Sequence, residues 1–369
     1  MQILVTGAAG FIGKNLQLRL REMGHEVLTY LRGDKDESLH TQLSIADVVI
    51  HLAGENRPVD VQGFITGNID LTARLCQMIK NLGRPLPVVF ASSAQAALDN
   101  PYGRSKLAAE DLIAEFAAMT GCRSRIYRLP GVFGKWCMPN YNSVVATFCY
   151  NIAHDLPILN NDPTYCLRLV YVDDVVKELI EAALHGPSGF SEGCVQPEYF
   201  TTLGELAETI ASFRDSRKNL ITDRTGSGLI RALYATYVSY LPPEHFAYNL
   251  PVHGDERGIF VEMLKTPDCG QFSYFTTRPG VTRGGHYHHS KIEKFLVIRG
   301  QARFGFRNVL TGQVFYLEVS GEYPRVVETV PGWTHDITNT GQEEAFVVLW
   351  ANEVFDRDCP DTIASKVQE

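Results

Sequence analysis

The sequence has few of the features that mark secreted, membrane or nucleic-acid-binding proteins. Its 8 cysteines include no Cys-x-x-Cys pair, so neither a disulfide framework nor a zinc knuckle is indicated. A reducing cytoplasm is therefore the expected location. No apolar run approaches the ~18 residues that a membrane-spanning helix needs. The N-terminal residues 1–7 have no basic segment ahead of an apolar one, which argues against a signal peptide. The formal net charge of -8 implies no basic face, so nucleic acid is not an expected partner.

The chain has apolar residues enough for two globular domains. It contains 369 residues, of which 45% are hydrophobic and 21% are charged. The first part alternates apolar strands, such as residues 2–6, with amphipathic helices, such as residues 11–23, and this pattern predicts an α/β doubly wound parallel sheet. After Pro242-Pro243, short β-rich runs separated by glycines predict an all-β barrel or sandwich. We place the boundary between the domains 1–243 and 244–369.

A glycine-rich turn joins the first predicted strand to the first predicted helix. Gly7, Gly10 and Gly13 let the backbone turn tightly and approach a pyrophosphate, which then lies at the helix N-terminus. The second strand ends without the Asp or Glu that usually binds the ribose of NAD. Arg32 stands there instead, and it can pair with a 2′-phosphate or be a solvated loop residue. We therefore expect NADPH as the cofactor.

Tyr102 and Lys106 are spaced to share one face at the start of a helix. A free tyrosine has a pKa of about 10, and a neighbouring ammonium favours the phenolate. We therefore expect Lys106 to lower the pKa of Tyr102. Ser93, just past a strand end, is placed to hydrogen-bond a substrate carbonyl oxygen.

These motifs resemble the nucleotide-sugar branch of the extended short-chain dehydrogenase/reductase family over about the first 240 residues. The resemblance extends to Val49–Gly54, Phe90–Ala94, Arg128–Gly134 and Val170–Val175. It implies a Rossmann-type fold in which Ser93, taken in preference to Ser92, is catalytic with Tyr102 and Lys106. Arg168 is a candidate for binding the substrate diphosphate, with a surface ion pair as the alternative. The implied cofactor-binding residues are Gly7, Gly10, Phe11, Ile12, Gly13, Arg32, Leu52, Ala53, Asn68, Tyr102 and Lys106.

Three histidines and a glutamate in the β-rich part have the spacing of a metal site. His286 and His288 are two residues apart in an extended segment, which places both on one face, and Glu293 opens the next strand. His335 follows a Pro-Gly turn much later. Such a set suits Zn, Fe, Mn or Ni, and we take one divalent ion, Zn²⁺ first, as the expectation. The alternatives are a polar pocket without a metal, and His289 as a ligand.

The same segments are similar to the cupin signature and to the sugar-nucleotide 3,5-epimerases, which are cupins. The second similarity lies in residues 255–262 and 280–287, where Arg257 and Arg283 are expected to bind substrate. It implies that His286 is the general base and that a late tyrosine is the general acid, but that late position is Trp350. A metal-bound His286 could not serve as a free base. The candidates for the base are then Lys265, Tyr274, Arg283 and Lys291.

The two resemblances together imply a bifunctional, capsule-type nucleotide-sugar enzyme. The cupin domain would epimerise C3 of a UDP-2-acetamido-2,6-dideoxy-4-ketohexose, and the reductase domain would then reduce C4 with NADPH to a UDP-N-acetyl-6-deoxy-L-talosamine. One alternative is a 4-ketoreductase of a UDP- or dTDP-deoxysugar whose cupin only binds sugar, dimerises or holds a structural metal. Another is a redox-neutral epimerase that keeps its nicotinamide. A homodimer is expected because cupins often pair.

Overall fold

In the computed structural model, the described residues are 1–251, 253–255, 258–260, 264, 270–353 and 358–368. Arg257 and Lys265, named above as site candidates, lie outside them. The chain begins with β1 (Gln2–Thr6), α1 (Phe11–Glu22), β2 (Glu26–Tyr30), α2 (Asp36–Ile45), β3 (Val48–His51), α3 (Gln62–Phe64), a π-helical segment (Ile65–Asp70), α4 (Leu71–Asn81), β4 (Val88–Ser93), a 3₁₀ turn (Ala94–Ala97), α5 (Pro101–Thr120), β5 (Ser124–Leu129), β6 (Gly131–Phe133), α6 (Val144–Ala153), β7 (Cys166–Tyr171), α7 (Val172–His185), β8 (Phe190–Gly193) and β9 (Tyr199–Thr202). It continues with α8 (Leu203–Asn219), α9 (Gly228–Val238), a 3₁₀ turn (Pro243–His245), β10 (Ala247–Asn249), β11 (His253–Asp255), β12 (Gly258–Phe260), β13 (Gln271–Thr277), β14 (Thr282–Tyr287), β15 (Glu293–Arg299), β16 (Gln301–Asn308), β17 (Val314–Ser320), β18 (Arg325–Glu328), β19 (Trp333–Asn339), β20 (Ala345–Ala351) and β21 (Ile363–Ala364).

These elements form two compact units. One comprises Met1–Trp136 with Leu167–Phe200, and the other comprises Cys137–Cys166 with Thr201–Glu369. Helices α6, α8 and α9 thus group with the β-rich part. The division at 243/244 stays a prediction about sequence modules. Among the described residues, no helix combines the length and the apolar character that crossing a bilayer requires.

The first unit is built on a six-stranded parallel sheet in the order β2-β1-β3-β4-β5-β8. Helices cover both faces of this sheet, so its central strands are buried on both sides and consist of consecutive apolar residues. One core joins Leu4 and Phe90 of the sheet to Ile79 of α4 and Phe116 of α5. The predicted doubly wound sheet is confirmed, and β1 has the predicted bounds.

Helix α5 begins at Pro101, so it contains both Tyr102 and Lys106, as their spacing predicts. Asn100 caps the helix by accepting from the Gly103 amide at 2.8 Å, and Pro101 occupies the first turn. Asn as a cap followed by Pro is a strong start signal. Tyr102 therefore lies inside the first turn, which fixes its side chain relative to Lys106.

The second unit contains two five-stranded sheets in the orders β10-β18-β15-β20-β13 and β17-β16-β19-β14-β21, with antiparallel pairing along the barrel strands. The predicted cupin-like all-β domain is confirmed. Strand β14 carries a β-bulge: Gly284 pairs with Asp336 and His286 pairs with His335, so Gly285 is an extra residue.

A buried ion cluster joins helices and barrel strands within the second unit. Glu328 of β18 accepts from Tyr234 of α9 at 2.9 Å and from Lys294 of β15 at 3.0 Å, and it also pairs with Arg217 of α8. Burial would raise the pKa of Glu328, but Arg217 and Lys294 lower it to about 2. The carboxylate is therefore charged at neutral pH and fully paired, which an interior ion requires.

Candidate active site and metal centre

Four strand ends meet where the predicted cofactor residues lie. Gly7 follows β1, Arg32 follows β2, Ala53 follows β3, and Ser93 ends β4. The carboxyl ends of neighbouring parallel strands share one edge of the sheet, and ligands of such folds bind there. The fold therefore brings together residues that the sequence separates by more than eighty positions.

The glycine turn has the close backbone approaches that its motif predicts. Gly7 takes a φ of +68°, and a Cβ there would lie 2.7 Å from the Ala53 nitrogen. A Cβ on Gly13 would lie 2.5 Å from the Gly7 oxygen. Gly10 precedes α1 in an extended conformation, so Phe11, Ile12 and Gly13 form its first turn. The N–H groups of a first turn have no partner within the helix and can bind a phosphate.

A directional hydrogen-bond chain runs beneath this edge. Thr72 Oγ1 donates to the Asn68 carbonyl at 2.6 Å, so it accepts from His51 Nε2 at 3.0 Å. His51 Nδ1 then accepts from Thr6 Oγ1 at 2.6 Å, and Thr6 Oγ1 accepts from the Ala53 amide at 3.2 Å. His51 is thus a neutral imidazole that carries its proton on Nε2, and burial lowers its pKa to about 3.

Asn68 lies in the π-helical segment, and its side chain is fully engaged by protein. Its Nδ2 donates to Ser105 Oγ at 2.8 Å and to the Glu55 carbonyl at 3.0 Å, while its Oδ1 accepts from the Glu55 amide at 2.7 Å. Asn68 therefore fixes the loop after Leu52 and Ala53 against α5. Single π-helical turns are frequent at functional sites.

Arg32, the expected partner of a 2′-phosphate, is exposed and forms an ion pair with Glu55. No acidic residue directly follows β2, but Glu55, which follows β3, lies beside Arg32. Sequence reasoning missed Glu55 because the strand order, rather than chain proximity, brings it beside Arg32. An arriving phosphate would compete with Glu55 for the guanidinium.

Ser93, Tyr102 and Lys106 are brought together at the end of β4 and the start of α5. Tyr102 is half-buried and hydrogen-bonded to Ser93, whereas the neighbouring Ser92 bonds to Glu110. Ser93 is therefore the serine that faces the tyrosine. Lys106 is buried, with its Nζ 2.9 Å from the Ala91 carbonyl.

The expected lowering of the Tyr102 pKa is not found in this arrangement. Burial raises the pKa of Tyr102 above its usual value of 10, and the hydrogen bond from Ser93 only partly opposes this. Burial also lowers the pKa of Lys106 to about 8, against the charge of Glu110. At neutral pH the tyrosine is consequently a protonated phenol, and Lys106, one turn later on α5, is close to titrating.

Glu110 is a site residue that sequence reasoning missed. Its buried carboxylate accepts from Arg128 Nη2 at 2.6 Å and from Ser92 Oγ, and it lies one turn after Lys106 on α5. The spacing of four residues from Lys106 was the available signal, because such pairs face each other on a helix.

The three candidate substrate arginines have different outcomes. Arg168 forms a bidentate ion pair with Glu198 at 2.6 Å, which is the surface alternative considered above. Arg283 donates to the Thr276 carbonyl at 2.8 Å. Arg257 lies outside the described residues. Their predicted roles in substrate binding stay predictions.

His286, His288, Glu293 and His335 converge between the two sheets of the barrel. One ligand atom from each lies within 4.8 Å of all the others. Glu293 Oε2 is 3.2 Å from His288 Nε2 and 3.4 Å from His335 Nε2. Ligands ~2.0–2.1 Å from a tetrahedral zinc ion are separated by roughly 3.3 Å, so these separations fit the expected metal. His289 is not part of the cluster.

The protonation states of the cluster also suit a cation. Burial, with the charges of His335 and His288, lowers the pKa of His286 to about 4, so its imidazole is neutral. Burial would raise the pKa of Glu293, but contacts with His288 and His335 hold it well below its usual range. The buried ring of His335 makes no well-formed hydrogen bond among the described residues, since its Nε2 only approaches Glu293 Oε2 at 3.4 Å. A coordinating ion would satisfy such an orphaned group.

Of the base candidates within the described residues, only Lys291 reaches this cluster. Its Nζ is 3.2 Å from Glu293 Oε1. Tyr274 is 72% exposed and Arg283 is bonded elsewhere. Trp350, at the position of the expected acid, is fully buried.

Comparison with known proteins matches both parts of the chain. Residues 3–192 match the family described as "NAD dependent epimerase/dehydratase family", and residues 253–363 match "Polysaccharide biosynthesis C-terminal domain". The UDP-2-acetamido-2,6-beta-L-arabino-hexul-4-ose reductase of Pseudomonas aeruginosa is 53% identical over 370 residues, which cover 100% of both chains. A putative UDP-glucose 4-epimerase of Methanocaldococcus jannaschii is 26% identical over 277 residues, 63% of this chain and 88% of that protein. The crystal structure of the capsular polysaccharide assembling protein CapF from Staphylococcus aureus is 40% identical and superimposes with a TM-score of 0.68, covering 99% of this chain and 100% of that one.

Proposed function

Because the chain belongs to the NAD dependent epimerase/dehydratase family, we propose that it reduces the C4 ketone of a UDP-linked 2-acetamido-2,6-dideoxy-4-ketohexose with NADPH. The observation that carries this proposal is the contact between Ser93 and the protonated phenol of Tyr102, beside Lys106. The Pseudomonas aeruginosa relative is, by its name, a reductase of UDP-2-acetamido-2,6-beta-L-arabino-hexul-4-ose.

The chemistry of reduction uses the groups in the states that the structure gives them. A nicotinamide held at the glycine turn would supply the hydride for C4, and the ketone oxygen would take the proton of the Tyr102 hydroxyl, so that the ketone becomes an alcohol and the cofactor is oxidised. Ser93 donates a hydrogen bond to the same oxygen, and the Lys106 ammonium stabilises the phenolate left behind. A raised tyrosine pKa favours the protonated donor that this direction of reaction needs.

The barrel site is proposed to epimerise C3 before the reduction. A C4 ketone acidifies the C3 proton, and reduction removes that ketone, so epimerisation must come first. His286, His288, Glu293 and His335 would hold one divalent ion, with Zn²⁺ expected. Such an ion supplies Lewis-acid stabilisation of negative charge on the ketone oxygen. Lys291 is the base candidate placed at the cluster, and the product of both steps would be a UDP-N-acetyl-6-deoxy-L-talosamine.

Two separate readouts test the two activities. NADPH absorbance is followed with the 4-keto sugar nucleotide, and deuterium incorporation at C3 is followed in D₂O without NADPH. With substrate supplied already inverted at C3, Tyr102→Phe should abolish NADPH consumption and leave C3 exchange unchanged, whereas His335→Ala should do the reverse. Retained NADPH consumption in Tyr102→Phe would refute Tyr102 as the proton donor, and a wild type that consumes no NADPH would refute the reductase assignment. Wild-type enzyme that consumes NADPH without exchanging C3 would support the alternative of a non-catalytic barrel.

Cofactor choice and assembly need their own measurements. A preference for NADPH over NADH in kcat/KM would support the assignment of Arg32, and stoichiometric NADPH consumption excludes a redox-neutral epimerase.

We also propose a homodimer, from the resemblance to cupins, and a single sedimenting species of one-chain mass would refute it.

A further inference from the structure

Asp361 makes an unusual set of contacts with the loop that carries two of the cluster residues. Its Oδ1 accepts from the His289 amide at 2.8 Å, and its Oδ2 accepts from the amides of Ser290 at 2.7 Å and Lys291 at 2.8 Å. The Ser290 hydroxyl adds a further bond at 3.1 Å. One carboxylate thus binds three successive backbone N–H groups, and hydrogen bonds to a charged acceptor are the stronger kind.

The backbone of Asp361 contacts a cluster residue directly. His288 Nδ1 donates to the Asp361 carbonyl oxygen. A carbonyl can only accept, so His288 carries a proton on Nδ1, and this bond turns Nε2 towards Glu293, 3.2 Å away. Metal-binding histidines commonly donate their second N–H to such a partner, which fixes tautomer and ring orientation.

The chain after Asp361 also supports the strand that bears His286. Strand β21 pairs with β14, with Ala364 opposite His286 and Ile363 opposite Tyr287. The Ser365 amide donates to the Gly285 carbonyl at 2.8 Å. The C-terminal segment therefore contacts both loop 288–291 and the end of β14.

We propose that Asp361 is a positioning residue for the metal centre. Its carboxylate holds loop 288–291 in place, and its carbonyl accepts from His288 Nδ1 and so orients the ring with Nε2 towards the other cluster residues. The proposal rests on the metal site proposed above. It goes beyond that site because the last position that either resemblance names is Trp350, which precedes Asp361.

The effect of removing the carboxylate follows from these contacts. Asp361→Ala keeps the backbone carbonyl but frees three amides and the loop, so the carbonyl and His288 are no longer held together. Loss of a partner that orients a ligand typically lowers metal affinity by roughly 10- to 100-fold. Asp361→Asn retains one acceptor oxygen of the two and should lie between the wild type and Asp361→Ala.

Two measurements on the full-length protein test the proposal. The first is Co²⁺ titration, which reads the affinity and the visible d–d spectrum. The second uses metal-free protein and follows amide exchange of residues 289–291 together with the ¹⁵N shifts of labelled histidine side chains. Glu343→Gln is the matched control, since Glu343 is an exposed barrel carboxylate whose side chain pairs only with exposed Arg299 among the described residues.

The expected result is weaker Co²⁺ binding in Asp361→Ala by roughly 10- to 100-fold, an altered d–d spectrum, faster exchange at 289–291 and loss of the Nδ1–H tautomer of His288. Glu343→Gln should match the wild type in all of these. Unchanged affinity and unchanged exchange in Asp361→Ala would overturn the proposal. If wild-type protein binds no Co²⁺, the metal proposal fails, but unchanged exchange and tautomer would still refute the positioning role of Asp361 separately.

Discussion

Acidification from about pH 7.5 to about pH 5 should destabilise the parallel-sheet unit through His51, by about 2 kcal/mol. His51 is fully buried and its hydrogen-bond chain leaves no place for a second ring proton. In the folded state burial lowers its pKa to about 3, whereas the unfolded chain has the ordinary value of 6.5. Below pH 6.5 the unfolded state therefore binds the extra proton and the folded state does not.

The size of the effect follows from the two pKa values. The contribution of neutral His51 to the free energy of unfolding is complete above about pH 6.5 and is lost progressively as the pH falls towards about 3. Its maximum, set by the full difference between the two pKa values, is about 5 kcal/mol. At about pH 5 the unfolded histidine is almost fully protonated, and the loss is about 2 kcal/mol. This is a large fraction of the stability of a typical domain.

Amide exchange measured by mass spectrometry on peptides from β1 and β3 gives the unfolding free energy of this unit at each pH. His51→Gln removes the titrating group, so its free energy of unfolding should be less dependent on pH than that of the wild type by the same 2 kcal/mol or so. His40→Gln is the control, because His40 is exposed on α2 and should leave the pH dependence unchanged. Parallel profiles for wild type and His51→Gln between about pH 5 and 7.5 would refute the assignment of a buried neutral His51.

Other substitutions give separate tests. Arg32→Ala should raise the KM for NADPH by roughly 10- to 100-fold with little change in the KM for NADH, because a hydrogen bond to a charged group contributes about 1.5–3 kcal/mol. Arg19→Ala is the control. Equal effects of Arg32→Ala on both cofactors would contradict the role of Arg32. Glu110→Gln should move the alkaline limb of the reductase pH profile to lower pH, because the Glu110 charge raises the pKa of Lys106; a limb that stays in place would show that Glu110 acts only on folding. Glu328→Gln should destabilise the second unit by about 3–5 kcal/mol in a urea titration, since it leaves buried cations unpaired; a change below about 1 kcal/mol would contradict the description of this ion cluster.

Local sequence patterns predicted the parts of the fold that depend on local physics. The strand at residues 2–6, the glycine turn and the metal-type spacing of His286, His288 and Glu293 each follow from periodicity or from chemistry within a few residues. His335, which is remote in sequence but follows a recognisable Pro-Gly turn, lies with these three residues in the structure.

Contacts made across the fold could not be read in the same way. Asp361 lies seventy or more positions from the amides that it binds, and nothing in its own neighbourhood marks it. Glu55 meets Arg32 only because β3 lies two strands from β2 in the sheet. The pKa of Tyr102 was predicted in the wrong direction, because burial cannot be judged from a spacing of four residues.

The bulge in β14 has a consequence for comparing related chains. Because Gly285 is surplus to the ladder, a relative with one glycine in place of Gly284-Gly285 would form a regular strand with His286 still opposite His335. A gap at this point of an alignment therefore leaves the cluster of His286, His288, Glu293 and His335 intact and changes only the bend of the strand. By contrast, a deletion between His286 and Glu293 would shorten loop 288–291 and separate the ligands, so the two kinds of gap have opposite meanings for function.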